Sequence, residues 1–471
     1  MGRKQELHIL EQLIQSDSAT IGVIYGRRRI GKSELIRKGF EKYPTLSFEG
    51  LENRPKQEQI DNFLFQLAYQ RSKKNKIVKV HSWKEAFLLL YEELLQNPAH
   101  IVFDEFQWMA NYRSEIVSDL KLIWDQYISQ IRGTTLILCG SIASFMTGRV
   151  IKSNALYGRT DLVIHLKGFL LPETKQMLHG KGDQEIIEAQ MLLGGVPKYL
   201  DLIREKPSVR LGMENLAFSE TGYLTDEYDR IFLSHFGRNK EYEKIIKILA
   251  SHPYGLFRKE IAQKARIELG GGLTTHLKNL ESAGFISSAT PFHKGHNSRL
   301  LKYYLSDAYL RFYFSFIQPN LKKIKSGIHR DLFSRICQSG SFYAWMGRAF
   351  EYLCMEHARK ISEILGFSGI DFTCGPYFVA ATKNITGVQI DLLFSRRDNV
   401  MTLCEMKYSL GPGSTALIDE VERKAAILQS AFKGKTIQKV LISRSRPTKN
   451  LAATGYFYRI IHPEQFFSQA G

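Results

Sequence analysis

A glycine-rich segment near the start of the chain has the residue types and spacing of a phosphate-binding loop. Residues 26–33 fit the pattern G-x-x-x-x-G-K-[ST]. An apolar strand-like run at 21–25 precedes the segment and a helix-like sequence follows it, so backbone N–H groups and a helix N-terminus would surround the phosphates. Lys32 would contact the β- and γ-phosphates, and the Ser33 hydroxyl would bind Mg²⁺. The predicted nucleotide-binding residues are Gly26, Arg27, Arg28, Arg29, Ile30, Gly31, Lys32 and Ser33.

Two adjacent carboxylates supply the groups that hydrolysis of a bound nucleotide would need. Asp104 and Glu105 follow an apolar run that reads as a buried parallel strand. Because α/β sheets bind ligands at the carboxyl ends of their strands, both acids would lie beside the loop. Asp104 would orient the shell of a Mg²⁺ ion, and Glu105 would polarise the attacking water as a general base. Together the two motifs predict a site that hydrolyses ATP, with ATP and Mg²⁺ as cofactors.

Two further polar residues have more than one interpretation. Ser141 ends a third apolar strand, where a polar side chain would sense the γ-phosphate, or it caps the helix that starts at Ile142. Arg159 precedes a strand at 162–166. It contacts phosphate in its own chain or in a second copy after self-association, or it is an ordinary surface arginine. The sequence leaves these alternatives open.

A second set of charged residues lies near the end of the chain. Asp391 falls in one apolar strand, and Glu405 and Lys407 alternate along the next. Alternate residues of a strand share a face, so these side chains would converge, with Glu351 of a preceding helix near them. The carboxylates would bind Mg²⁺, and Lys407 would orient or deprotonate a water beside a scissile phosphodiester. The alternative is a polar strand edge with a salt bridge.

The elements that must position these residues follow from hydrophobic periodicity. In the first part of the chain we expect helices at 1–20, 56–97 and 119–130 around the three strands. Amphipathic helices should start near Pro172, Asp183 and Pro197. Around the C-terminal cluster the sequence predicts a helix at 341–365 and strands at 388–394 and 401–407.

The middle of the chain has the pattern of a winged helix. Three short helices at 242–250, 258–264 and 273–283 precede a hairpin with a basic tip. Such a domain either binds DNA or makes only protein contacts. The residues that would reach bases or phosphates are Thr274, Thr275, His276, Lys278, Asn279, His293, Lys294 and Arg299. An aromatic stripe at 306–330 has helical spacing and predicts a packing face.

Composition restricts the class of protein. The 471 residues predict three or four domains, and a net charge of +18 favours a polyanion partner, nucleic acid first. No apolar stretch reaches about 18 residues and the N-terminus lacks an apolar signal core, so no membrane partner is expected. The five cysteines are scattered without a C-x-x-C motif, which fits a reducing cytoplasm.

Several of these segments together resemble a known family. The phosphate-binding loop, Phe103–Phe106, Leu138–Ser141, Leu156–Arg159 and Leu193–Tyr199 look like the prokaryotic "archaeal-type" ATPases, which resemble AAA+ proteins of the signal-transduction (STAND) class. The C-terminal part is similar to a domain of unknown function often attached to them, itself similar to PD-(D/E)XK nucleases. Two positions depart from the family patterns, because Ser141 stands where many AAA+ proteins have Asn or Thr, and Ile390 stands where the nuclease motif has Pro.

The resemblance implies an α/β multidomain fold. We expect a P-loop AAA+ domain at 1–167, a helical lid at 168–235, a winged-helix domain with a helical extension at 236–330, and a restriction-endonuclease-like α/β domain at 331–471. The leading hypothesis is an ATP-driven, DNA-associated switch with a Mg²⁺-dependent nuclease-like module. The alternative is a regulator without nuclease activity, in which nucleotide state controls DNA binding or protein contacts.

Overall fold

The computed structural model describes residues 2–71, 78–237, 239–290, 301–328, 331–379 and 387–468. The chain divides into two units, residues 1–168 with 278–284 and residues 169–277 with 285–471. Within the described residues, no helix is both long and apolar enough to cross a lipid bilayer.

The described residues of the first unit form a parallel sheet with helices around it. Strands β1 to β5 are Thr20–Tyr25, Thr45–Glu49, His100–Asp104, Thr135–Gly140 and Leu162–His165. They pair in parallel in the spatial order β2-β3-β4-β1-β5. Strands β1, β3 and β4 are almost wholly buried, as strands of a sheet covered on both faces must be. Because these three strands are neighbours, the residues that follow them meet at one edge of the sheet.

The three helical regions expected in the first unit are present with other bounds, since the first helix ends at Ile14, the range 56–97 contains two helices, and the third helix lies four residues earlier than expected. The helices of this unit are α1 (Lys4–Ile14), α2 (Lys32–Gly39), α3 (Lys56–Gln70), α4 (Trp83–Gln96), α5 (Phe106–Met109), α6 (Glu115–Gln126) and α7 (Ala143–Phe145). Helix α4 starts at a capping box, in which the Ser82 side chain accepts a hydrogen bond from the Glu85 N–H and the Glu85 carboxylate accepts one from the Ser82 N–H. Strand β2 was not predicted, because only alternate side chains of this edge strand are buried.

The second unit begins with a layer of helices. They are α8 (Leu171–Met177), α9 (Asp183–Leu193), α10 (Pro197–Arg204), α11 (Val209–Ala217) and α12 (Glu227–Phe236). The predicted helix starts near Pro172, Asp183 and Pro197 are therefore confirmed. Buried hydrogen bonds join these helices, including one of 2.6 Å from the Tyr199 hydroxyl to Glu227 and one of 2.6 Å from the Thr174 hydroxyl to Gln190.

Three helices and a small antiparallel sheet follow. The helices are α13 (Lys240–Ala250), α14 (Arg258–Ala265) and α15 (Gly271–Ser282), and the strands are β6 (Leu256–Phe257), β7 (Ile286–Ala289) and β8 (Lys302–Leu305). The strands pair in the order β6-β8-β7. After them the stripe of Tyr309, Phe312, Tyr313 and Phe316 is buried, so its interpretation as a packing face is confirmed. The expected contacts of His293, Lys294 and Arg299 lie outside the described residues.

The last part of the chain is a mixed sheet with helices. Its strands are β9 (Phe372–Val379), β10 (Val388–Arg396), β11 (Val400–Lys407), β12 (Thr436–Ser443) and β13 (Arg459–Ile461), in the order β13-β12-β11-β10-β9. Strands β9, β10 and β11 pair antiparallel, whereas β11, β12 and β13 pair in parallel.

Several helices accompany this sheet. They are α16 (Ala308–Phe312), α17 (Leu321–Lys325), α18 (Leu332–Cys337), α19 (Gly340–Glu356), α20 (Ala358–Ile364), α21 (Ala416–Ala431) and α22 (Lys449–Ala453). The single helix expected at 341–365 is wrong in one respect, because it is interrupted at His357. The ring of His357 bonds to the Leu353 carbonyl through Nδ1 (2.8 Å) and accepts the Leu171 N–H at Nε2 (3.2 Å), so it connects α8 to this turn.

Candidate functional site

The segment after β1 forms a loop around a buried lysine. Gly31 has a φ of +88°, a conformation that glycine adopts without strain, and α2 begins at the next residue. The Lys32 amine donates hydrogen bonds to the carbonyl oxygens of Gly26 (3.0 Å) and Arg27 (3.1 Å). A side chain at Gly26 would meet the Leu166 carbonyl oxygen at 2.3 Å, so the loop can pack against the end of β5 only as glycine. The loop therefore holds its cation at the carboxyl edge of the sheet.

Ser33 and Asp104 join the loop to the end of β3. The Ser33 hydroxyl donates to Asp104 Oδ2 at 2.6 Å, and Asp104 Oδ1 accepts the Glu105 N–H at 2.8 Å. A hydroxyl and a carboxylate at this distance are oxygen donors of the kind that Mg²⁺ binds together with nucleotide phosphates. These residues therefore fit the metal that the sequence predicts.

Glu105 is held by a polar network that the sequence revealed only in part. The Ser141 hydroxyl donates to Glu105 Oε2 at 2.7 Å, and the Gln107 amide donates to both the Ser141 hydroxyl (3.1 Å) and the Glu105 carboxylate. Gln107 was missed, because its position two residues after the acid pair does not indicate which side chains it contacts. Gly140 makes room for it, because a side chain there would meet Gln107 Oε1 at 2.7 Å.

The geometry also distinguishes the two interpretations of Ser141. Helix α7 begins at Ala143 with Ile142 as its N-cap and has no side-chain cap. The interpretation of Ser141 as a helix cap is therefore wrong. Its buried hydroxyl contacts the Glu105 carboxylate instead, at the end of the strand beside β1 and β3.

Arg159 is engaged elsewhere in the first unit. Its Nε and Nη2 atoms form a bidentate ion pair with the two carboxylate oxygens of Asp125, at 2.7 and 2.9 Å. The hydrogen bonds from Arg159 hold the pKa of Asp125 below its usual value. A contact between Arg159 and phosphate, in the same chain or in a second copy, stays a prediction.

An open space lies beside the Glu105 carboxylate. This pocket has a volume of about 490 Å³ and is lined by Arg28, Glu49, Glu105 and Trp108 among others. Arg28 lies 5.9 Å from the centroid of the Trp108 ring and forms a 3.1 Å ion pair with Glu52. Burial, with the charges of Asp104 and Glu105, raises the pKa of Glu49. Water can therefore reach the carboxylate without a rearrangement of the sheet.

The C-terminal charged residues converge on one another. Glu405 is 1% exposed, and its two oxygens bind the amines of Lys407 (2.9 Å) and Lys424 (2.7 Å). Asp391 Oδ2 accepts the Met406 N–H at 3.3 Å, so it lies against the backbone between Glu405 and Lys407. Strands β10 and β11 pair Leu392 with Cys404, a register that sets Asp391 opposite Glu405.

Two residues of α21 belong to this cluster and were missed by sequence reasoning. Lys424 is buried and also pairs with Glu420 at 3.2 Å, while Glu420 binds Lys407 at 3.2 Å. Burial alone would lower the pKa of the Lys407 and Lys424 amines, but the charges and hydrogen bonds of the surrounding carboxylates, with Glu405 first among them, together outweigh it and raise the pKa of both. The Glu-x-x-x-Lys spacing at 420–424 was the available signal, yet exposed pairs of this kind are common on helices.

Glu351 lies close to the same cluster. Burial raises its pKa, and the charge of Asp391 raises it further. Burial and the charge of Glu405 likewise raise the pKa of Asp391. Burial and neighbouring negative charge therefore disfavour the ionised form of both carboxyls. A bound cation would offset this effect.

The side chains at the two sites can be compared with the ligands that a metal ion requires. In the parts of the chain that the structure describes, no group of three or more His, Cys, Asp or Glu side chains is placed to hold a metal ion alone. Mg²⁺ is commonly bound by one or two carboxylates together with water and substrate phosphates. Asp391 and Glu405, and likewise Ser33 and Asp104, fit that mode of binding.

The residues of α15 that were expected to contact DNA divide into two groups. Thr274, Thr275 and Lys278 are exposed. His276 is not available in the same way, because its ring packs 4.4 Å from that of Tyr242 and Nδ1 lies 3.2 Å from Glu241. A contact between His276 and base edges stays a prediction.

Comparisons with known proteins agree with the first of the two sites. Residues 1–203 match a family described as "ATPase domain predominantly from Archaea". Residues 313–423 match a family described as "Archaea bacterial proteins of unknown function", which assigns no activity to the C-terminal sheet. The first part of the chain therefore carries an ATPase domain of the archaeal type, as the resemblance implied, and the match extends past the boundary expected at residue 167.

Individual relatives add little about activity. An uncharacterized protein of Methanocaldococcus jannaschii is 28% identical over 366 residues, covering 77% of this chain and 78% of that protein. An uncharacterized ATP-binding protein of the same organism is 44% identical over 41 residues, covering 9% of this chain and 70% of that protein. A Walker-type ATPase of Pyrococcus abyssi aligns with a TM-score of 0.49 and 18% identity, covering 66% of this chain and 95% of that one.

Proposed function

We propose that this protein is an ATP-hydrolysing, DNA-associated switch that carries a Mg²⁺-dependent nuclease module. ATP binding and hydrolysis rest on one observation above all. The hydrogen-bonded series from Ser33 through Asp104 and Glu105 to Ser141 joins the ends of β3 and β4 to the phosphate-binding loop that follows β1. The match of residues 1–203 to an ATPase domain supports the same conclusion.

Each residue of the site has its own role in hydrolysis. The Lys32 amine exchanges its bonds with the loop carbonyls for bonds to the β- and γ-phosphates. Ser33 and Asp104 would hold Mg²⁺, which neutralises charge on the phosphate oxygens. Glu105 accepts the proton of the attacking water, while Ser141 and Gln107 fix the direction of its carboxylate.

Site-directed variants test the ATPase assignment. Lys32→Ala should abolish tight binding of Mg-ATP, and Glu105→Gln should bind ATP but lose turnover by about 100-fold or more, because an amide cannot act as a base. Lys38→Ala on the same helix and Glu115→Gln on α6 are the controls, since both are surface residues. Unchanged hydrolysis by Glu105→Gln would remove its assigned role.

The nuclease assignment rests on the convergence of Asp391, Glu405 and Lys407. In a phosphodiester cleavage, a water oxygen bonds to phosphorus as the bond from phosphorus to one sugar oxygen breaks. Asp391 and Glu405, with Glu351 nearby, would hold Mg²⁺, which supplies charge stabilisation of the phosphorane-like transition state. Lys407 is charged and partly exposed, so it can orient the water or stabilise negative charge on the phosphate.

Cleavage of DNA by the full chain tests this assignment. We expect activity with Mg²⁺ or Mn²⁺ and none with a chelator. Asp391→Asn should lose metal binding and cleavage together, and Lys407→Ala should keep metal binding but lose most cleavage. Asp398→Asn, in the exposed turn between β10 and β11, is the matched control. If no DNA is cut under any of these conditions, the regulator without nuclease activity becomes the better description.

DNA association is proposed from charge and from the arrangement of α13, α14, α15 and the sheet β6-β8-β7. Three helices followed by an antiparallel hairpin is the order of a winged helix, in which the third helix enters the major groove. The exposed Thr274, Thr275 and Lys278 lie on that third helix. The net charge of +18 supports a polyanion partner.

A further inference from the structure

A large cleft on the second unit opens onto the carboxylates of the proposed nuclease site. It has a volume of about 730 Å³, and its lining includes Glu351 and Asp391. One side comes from α14 and the sheet β6-β8-β7, and the other from α19 and the edge strand β9. The aromatic residues that line it are Tyr254, Phe257, Tyr304, Tyr352, Tyr377 and Phe378.

Two of these rings are presented to the cleft without being part of the core. Tyr254 is 53% exposed and Phe378 is 47% exposed. On β9, Tyr377 is buried in the core of the mixed sheet, so the alternation of a strand directs Phe378 away from that core. Phe378 pairs in register with Gln389, and both line the cleft together with Asp391. A flat ligand can therefore stack on exposed rings beside the carboxylates.

A lysine lies among these rings. The Lys302 amine is 5.8 Å from the centroid of the Phe257 ring and 5.1 Å from that of Phe378. The charge of Glu260, which also lines the cleft, acts on this amine. Lys259, also in the lining, is exposed. The cleft thus combines ring faces for apolar groups with two amines that lie among carboxylates.

We propose that this cleft binds a single-stranded segment of DNA and directs its backbone to Asp391, Glu405 and Lys407. The inference deepens the proposed nuclease function and rests on it for the cleavage step alone. Aromatic platforms with interspersed cations are the usual means of binding unpaired strands, because bases stack on rings while phosphates meet amines. Because the cleft is continuous with the carboxylate cluster, a strand bound in it would reach the proposed cleavage site.

The shape of the cleft favours an unpaired strand over a duplex. Its volume lies in the range of about 300–1,000 Å³ that encloses one small molecule, which leaves room for a few unpaired nucleotides. In a duplex the base faces are already stacked on one another, and a protein reaches only their edges. Ring platforms such as Tyr254 and Phe378 would then have nothing to bind.

The test is fluorescence anisotropy of the full-length protein with a labelled 20-nucleotide single-stranded DNA and with its blunt duplex, in the presence of a chelator to prevent cleavage. We expect substitutions in the cleft to weaken binding of the single strand and to leave binding of the duplex, which we assign to α15, unchanged. Phe378→Ala and Tyr254→Ala should each weaken single-strand binding by about 5- to 150-fold, the effect of losing one stacked base. Tyr458→Ala is the matched control, because Tyr458 is 61% exposed and does not line the cleft.

Lys302 provides a second measurement that does not depend on stacking. Lys302→Met keeps the stem between the rings and removes the charge, so the slope of log K against log salt should fall by about 0.7 for a single strand. Lys439→Met is its control, since Lys439 lies 4.4 Å over the Tyr456 ring outside the cleft. Single-strand binding that none of the cleft variants changes would overturn the inference, as would an equal loss of duplex binding in the same variants.

Cleavage assays separate this inference from the nuclease proposal. If the protein cuts duplex DNA and Phe378→Ala cuts it equally well, the nuclease stands and the single-strand cleft is wrong. If single strands bind through the cleft but are not cut with Mg²⁺ or Mn²⁺, the cleft stands and the nuclease is wrong.

Discussion

At the scale of single residues, the contacts of His357 require one protonation state of its ring. Its buried ring accepts the Leu171 N–H, faces the Leu353 carbonyl and stacks on Phe466 at 5.3 Å. Burial lowers the pKa of His357 to about 4. The neutral ring is thus the form that the fold requires, because only a neutral imidazole has a nitrogen that can accept a hydrogen bond.

This arrangement predicts a loss of stability in mild acid. An unfolded histidine has a pKa of about 6.5, so its contribution is fully present above that pH and is lost as the pH falls toward 4. The loss over this window amounts to about 3 kcal/mol. Urea unfolding of the wild type and of His357→Gln should show the difference between them shrinking from pH 7 to pH 4. The exposed His179→Gln should give no such trend, and a constant difference for His357→Gln would contradict the assignment.

The sequence predicted those site residues that local spacing specifies. Lys32 and Ser33 lie within one eight-residue pattern, and Asp104 and Glu105 follow an apolar strand directly. Gln107 and Lys424 escaped prediction because their roles depend on which side chains approach them across the fold. Lys424 reaches Glu405 only because α21 crosses the sheet at that point, and no spacing along the chain encodes this contact.

At the scale of elements, the segment before α10 contains a glycine that the close approach of two backbone segments requires. Helix α9 ends at Leu193 and α10 begins at Pro197, and the reason for the break between them is visible at Gly195. A Cβ atom there would lie 1.8 Å from the Phe169 carbonyl oxygen, and the Phe169 N–H donates to the Gly195 carbonyl at 2.6 Å. The two backbones touch directly at this point, so any side chain would push them apart.

Gly195→Ala should therefore destabilise the second unit. Overpacking against backbone lowers the free energy of unfolding by about 1–3 kcal/mol or more. The control is Gly347→Ala inside α19, where a Cβ atom would meet nothing within 4 Å and φ is not positive. That change should be neutral or slightly stabilising, because alanine reduces the entropy of the unfolded chain. Equal denaturation midpoints for the two variants would show that the backbone contact has no influence on stability.

Elements were predictable from the sequence where burial is continuous or strictly periodic. The apolar runs gave β1, β3, β4, β10 and β11 close to their observed bounds. The edge strands β2 and β9 were missed, since only some of their side chains are buried and the pattern is weak. The break between α19 and α20 was missed because it arises from the hydrogen bond between Leu171 and His357, which are far apart in sequence.

At the scale of the whole molecule, the proposed switch requires the ATP site and the DNA-binding surfaces to influence each other. If ATP changes the affinity for DNA by some factor, DNA must change the affinity for ATP by the same factor. Couplings of this kind usually amount to about 5- to 150-fold. Two separate functions that merely share a chain would show a factor of one in both directions.

This reciprocity is measurable with Glu105→Gln, which should bind ATP without consuming it. DNA affinity is measured with and without saturating Mg-ATP, and ATP affinity with and without saturating DNA, at one salt concentration because phosphate contacts depend strongly on salt. We expect the two factors to agree and to differ from one. Lys32→Ala should abolish the effect of ATP on DNA affinity while leaving DNA affinity in the absence of ATP intact.

Lys278→Ala should reduce duplex affinity and lower the salt slope by about 0.9 without removing the coupling, because it takes away a single phosphate contact. Factors of one in the Glu105→Gln protein would mean that nucleotide state does not control DNA binding, and the chain would then be an ATPase and a DNA-binding protein without a switch.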